Sequence, residues 1–95
     1  MKVRKSKDIQ SCLIKKGFRL TTEKYHHQYY NLFVEGKKQH IYTYFSHGIK
    51  DYDKTLMSEI KKQLKFKDAA KAEDFFDCTM SGEQYIEMLS DNNEL

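Results

Sequence analysis

The pair Gly36-Lys37 constrains this chain more than any other feature. It separates two runs rich in aromatic and branched residues, His26 to Glu35 and Gln39 to Phe45. A glycine-first pair between such runs predicts a two-residue β-hairpin turn. Pairing Glu35 with Lys38 then places Leu32 opposite Ile41 and Tyr30 opposite Thr43. Because side chains alternate across a strand, one face of the hairpin carries Tyr30, Leu32, Val34, Ile41, Thr43 and Phe45. That is the predicted core face. The other carries His27, Tyr29, Asn31, Phe33, His40, Tyr42 and Tyr44, aromatic but interleaved with polar groups.

Upstream, Ser6 is the expected N-cap of a helix ending at Lys16, with Asp8 in the first turn and Ile9, Cys12 and Leu13 on one stripe. Gly17 ends it. Phe18 to Thr22 alternates as a strand, and Glu23-Lys24-Tyr25 turns it back toward His26. Downstream, Ser46 to Lys50 reads as a loop. Asp51 or Asp53 can cap the helix that follows over Asp53 to Lys65, with Leu56, Ile60, Gln63 and Leu64 inward. A shorter helix is expected over Asp68 to Asp77. A last one starts at Ser81, where Gln84 three residues on completes a capping-box signal. Asn92 to Leu95 should fray.

With 95 residues and a mean hydropathy of −0.84, the chain can build one lean core. No run approaches the ~18 apolar residues of a membrane span. The charged N-terminus is not followed by an apolar stretch, so no secretory leader, no membrane association and a cytoplasmic setting are expected. Cys12 and Cys78 read as two buried free thiols.

The net charge of +3 conceals a division. Residues 1–67 hold 16 Lys or Arg against 6 Asp or Glu, a balance of +10, whereas residues 68–95 hold one against 8, a balance of −7. The boundary at 67/68 separates an expected α-β-β-β-α domain (1–67) from an acidic helical extension (68–95) packed on it. The basic part either meets an anionic partner or simply solvates its helix faces. The extension could lie across the basic surface and compete with that partner.

The order helix, three antiparallel strands, helix is the α+β layout of double-stranded-RNA-binding domains, with both helices on one sheet face. Lys16-Gly17-Phe18, then Tyr25-His26-His27-Gln28-Tyr29, then Thr55-Leu56-Met57-Ser58-Glu59-Ile60-Lys61-Lys62-Gln63-Leu64 together resemble the HicA family of toxin ribonucleases. The resemblance spans about residues 6–66. It implies an mRNA-cleaving enzyme (an mRNA interferase) with a catalytic histidine, neutralised by a HicB-type antitoxin protein. Where the family has Gly-Ser before the histidine, this chain has Lys24-Tyr25; the second helix motif is one residue longer, and the extension has no counterpart.

The chemistry fits that implication. An imidazole, with an unperturbed pKa of ~6.5, exchanges protons near neutrality. The 2′-hydroxyl of RNA needs a base before it can attack the adjacent phosphate, and nearby ammonium groups stabilise the developing charge. His26 is the candidate base, with Lys24 and Lys50 beside it. By the residues alone, His26 reads first as a hairpin residue without a catalytic role; only the resemblance brings the catalytic reading level with it. Candidate RNA contacts are Lys15, Lys16, Arg19, Lys24, Lys37, Lys38, Lys50, Lys61 and Lys62.

Adjacent on a strand, His26 and His27 diverge, which does not suit a metal; neither a metal nor a cofactor is expected. A non-catalytic module binding RNA or a protein is the alternative function. The aromatic face has three readings: a base-stacking platform, a protein interface, or a second small core covered by the C-terminal helices.

Overall fold

The hairpin forms, but its turn lies one residue earlier than the glycine-first reading places it. In the computed structural model, which describes residues 1–95, strand β3 (His27–Val34) pairs antiparallel with β4 (Lys37–Ser46). Val34 faces Lys37, so Glu35 and Gly36 are the turn residues, with φ of +51° and +78°. Two positive φ values are what a type I′ turn requires, and glycine takes the second of them without strain. The expected Glu35–Lys38 pair is therefore absent, and Phe33 faces Lys38 instead. Tyr30 nevertheless faces Thr43, as anticipated. A bulge reconciles the two registers: between the pairs Asn31–Tyr42 and Phe33–Lys38, β4 spends two more residues than β3.

Strand β2 (Phe18–Lys24) pairs with the other side of β3, giving the order β2-β3-β4. It runs two residues beyond the expected Thr22. Lys24 pairs with His27, so the turn is Tyr25-His26, with Tyr25 at φ +57°. His26 is thus a turn residue rather than the first residue of a strand. A second bulge falls at Thr21, whose hydroxyl donates at 2.7 Å to Asn31 Oδ1 and lies 3.3 Å from the Tyr29 carbonyl.

The core face is as expected. Tyr30, Leu32, Ile41, Thr43 and Phe45 are buried beneath helices α1 (Ser6–Lys15) and α2 (Lys54–Gln63). Tyr30 donates to Gln10 Oε1 at 2.7 Å, and the Thr43 hydroxyl bonds the Gln63 side chain. Gly17, at φ +102°, follows the α1 C-cap Lys16 as a helix-ending glycine. Ser6 is not the N-cap. Lys5 holds that position without a side-chain bond, and Ser6 is a buried first-turn residue whose N–H donates to the Lys50 carbonyl at 2.8 Å. The cause is a two-stranded ribbon the sequence does not announce. Strands β1 (Arg4–Lys5) and β5 (Asp51–Tyr52) pair just before the first helix and between the expected loop and the second helix.

Helices α3 (Ala69–Phe76) and α4 (Gly82–Asp91) complete the fold. Asp53 and Asp68 cap α2 and α3, and the Ser81–Gln84 capping box forms in full. Six residues of the acidic segment, Ala72, Phe75, Phe76, Tyr85, Met88 and Leu89, belong to the single cluster of 19 buried residues. Tyr85 packs on Phe18, Phe66 and Phe75, and its hydroxyl donates to the Leu64 carbonyl at 2.8 Å. Burial drives its phenol pKa far upward.

The segment is wedged into the core rather than draped across the basic surface. Its ion pairs with the basic half are those of Glu73 and Asp77 with Arg4 (3.0 and 2.9 Å) and of Asp77 with Lys2 at 3.3 Å. Hydrogen bonds from Arg4 and Lys2 hold the Asp77 carboxyl below its ordinary range. Cys12 is buried, but Cys78 is exposed at the end of α3, with φ +63°. No helix is long and apolar enough to cross a membrane.

Candidate nucleic-acid interface

The open face of the sheet follows from alternation. Every second residue of β3 turned away from the helices, His27, Tyr29, Asn31 and Phe33, meets its counterpart on β4: Ser46, Tyr44, Tyr42 and Lys38. From β2 the face receives Arg19, Thr22 and Lys24, opposite Asn31, Tyr29 and His27. The C-terminal helices do not cover it, because Phe75, Phe76, Tyr85 and Leu89 are used in the main core. The reading of this face as a second small core is corrected accordingly. Tyr42 and Tyr44 remain 47% and 39% exposed.

The rings form one connected cluster. Tyr29 lies 5.5 Å from Tyr44 and 6.2 Å from Tyr42, and His27 stands edge-on to Tyr44 at 5.3 Å. Such spacings are those that aromatic side chains favour. Three cations border the cluster. The Arg19 guanidinium lies 4.6 Å above the Phe33 ring, Lys38 faces Phe33 across the strands, and Lys24 faces His27 with its ammonium 5.4 Å from the Tyr25 ring. No strand position on this face holds a carboxylate. Asn31 is fixed beneath the rings by the Thr21 hydroxyl and by donating to the Gln39 carbonyl at 3.2 Å. Thr21, Thr22, Lys24, Tyr29, Asn31 and Tyr42 line a shallow depression of about 340 Å³.

His26 projects from the end of this sheet, exposed, on the turn between β2 and β3. Its carbonyl accepts from the His47 N–H at 2.7 Å, which extends the β3–β4 pairing one step past His27–Ser46. His26 and His47 are therefore cross-strand neighbours joined through the backbone. The residues alone do not single out His47. The signal that could have found it is the register itself, which carries Tyr30–Thr43 straight on to His26–His47.

The remaining cationic candidates scatter. Lys50 is exposed and lines a cleft on the helix side of the sheet end, together with His47. Lys37 lies at the far hairpin, and Lys61 and Lys62 lie at the end of α2, where Lys62 pairs with Glu59 at 3.9 Å. Lys15 is exposed at the end of α1. Lys16 is not available to RNA. It is buried, its ammonium donating to the Met80 carbonyl and lying 5.5 Å from the Phe75 ring, because the segment leading into α4 closes over it. Comparisons of the chain with family models, curated proteins and solved structures each returned no match.

Proposed function

We propose that this protein binds single-stranded RNA on the open face of its sheet and cleaves it as a metal-independent, HicA-like ribonuclease, with His26 exchanging the proton. The observation that carries the binding half is the ring cluster of exposed Tyr42 and Tyr44 with half-buried His27 and Tyr29, bordered by Arg19, Lys24 and Lys38 without a carboxylate among the strand positions. Stacking platforms edged by cations are the common means of holding unpaired bases while neutralising their phosphates. The cleavage half rests on the position of His26, exposed at the edge of that platform and next in sequence to His27. A base there takes the proton of a 2′-hydroxyl as the 2′-oxygen bonds to the adjacent phosphorus; the P–O5′ bond breaks, leaving a 2′,3′-cyclic phosphate, and the departing 5′-oxygen takes a proton from the imidazolium or from water. A HicB-type protein would be the partner under this reading.

One observation favours a second reading, a binding module without catalysis. His26 is attached through its backbone carbonyl, and its imidazole is exposed on a turn, where nothing rigid orients it. The binding half is tested by replacing Tyr42 and Tyr44 with alanine and measuring affinity for an unstructured RNA against salt. Loss of about 1–3 kcal/mol per stacked base is expected. Unchanged affinity removes the platform from the account.

A further inference from the structure

On the helix side of the sheet end, the ribbon β1–β5, the first turn of α1 and the Ser46–Lys50 turn enclose a cleft of about 510 Å³. Lys5, Lys7, Lys50 and His47 line it, with Ser46 and with Gln28, whose amide donates at 3.4 Å to the Glu23 carboxylate. The protein's ion pairs engage Lys2, Arg4 and Lys62. None engages the three cleft lysines, although all three are exposed and one carboxylate, Asp51, sits on the wall. Lys5 faces Asp51 across the ribbon, so the cleft sets three lysines against one carboxylate, and an anion between the lysines relieves the repulsion that remains. The α1 N-terminus beside them has no side-chain cap, but its Ser6 N–H is taken by the Lys50 carbonyl and Asp8 stands in its first turn, so the charge of the cleft is that of its lysines. Ile49 is the one hydrophobic residue that lines the cleft.

We propose that this cleft is a phosphate-binding site, and that its occupant is a backbone phosphodiester of the RNA strand whose bases lie on the aromatic face. The phosphate site stands on the cleft itself; the identity of its occupant rests on the RNA reading above. Alternation supplies the connection. Gln28 points to the helix side and its neighbours His27 and Tyr29 to the open face, so a strand crossing from face to cleft passes round the sheet end. The His26–His47 pair stands at that crossing.

The test is a titration of the ¹⁵N-labelled full chain, followed by its amide resonances, first with inorganic phosphate and then with a short unstructured RNA. Phosphate should move the amides of residues 5–7 and 46–51 saturably. The double variant Lys7→Gln, Lys50→Gln, both at exposed positions, should weaken that binding at least about tenfold, as expected for losing charge-assisted contacts. RNA should move the cleft and the Tyr42–Tyr44 face together, and in the double variant the slope of log affinity against log salt should shrink by about 0.7 per lysine removed. Cleft amides that ignore phosphate, or respond equally in the double variant, overturn the phosphate site. RNA that moves the aromatic face but never the cleft overturns the assigned occupant. Phosphate binding without any RNA binding supports the site and instead overturns the RNA reading.

Discussion

Replacing Phe75 with alanine tests whether the residues beyond Lys67 share one core with the sheet. Phe75 is fully buried, its ring centroid 4.9 Å from Tyr85, 5.1 Å from Phe76 and 5.4 Å from Phe66. Its carbonyl accepts from the Cys12 thiol at 3.2 Å, tying α3 to α1. Removing such a ring forfeits its transfer energy and leaves a cavity that stiff aromatic neighbours cannot close, a cost of about 3–5 kcal/mol. Domains of this kind hold about 5–15 kcal/mol in all. Each 1 kcal/mol moves Tm by about 4–8 °C, so a drop of at least about 12 °C is expected.

The chain has no Trp and 7 Tyr, so unfolding in guanidinium is followed by tyrosine fluorescence and far-UV circular dichroism. Both probes should shift to a lower midpoint together. Amide exchange at Leu32, far from Phe75 in sequence, should accelerate by the same free energy. If Leu32 keeps its wild-type protection while α3 and α4 exchange freely, the extension unfolds by itself and the single-core reasoning is wrong.

The cysteines should differ sharply under a maleimide. Burial pushes the Cys12 thiol up to about 12, while Cys78 is exposed, so mass spectrometry should find one adduct on the native protein and two on the unfolded chain. Stability should fall as pH rises above about 9. Cys12, Tyr30, Tyr52 and Tyr85 all titrate higher when folded, so the unfolded chain releases these protons first and gains relative to the folded one. Guanidinium midpoints measured from neutral to strongly alkaline pH should decline steadily through that range; a flat profile would contradict the burial of these groups.

Much of the sheet was legible because alternation survives local error. The turn was misplaced by one residue, yet the bulge in β4 returned Tyr30 to Thr43 and kept both faces intact. Helix boundaries marked by side-chain caps, at Asp53 and Ser81, were readable for the same local reason. What depends on distant partners was not. Two-residue strands such as Arg4–Lys5 have no periodicity to read, and their pairing with Asp51–Tyr52 displaced Ser6 from its expected capping role. Lys16 resembles any other basic residue on a helix end until Met80 and Phe75 are folded over it. The cleft lysines Lys5 and Lys7 become neighbours of Lys50 only through that same ribbon.

The central claim is that RNA lies on the aromatic face and is cut with the help of His26. Its most direct measurement is cleavage of a labelled single-stranded RNA in EDTA by the wild-type chain and by His26→Ala, with binding recorded on the same samples. The account predicts that wild type cuts without divalent metal, while His26→Ala binds RNA with unchanged affinity and leaves it whole. Cleavage by His26→Ala at the wild-type rate, or a wild-type chain that neither binds nor cuts, would contradict it.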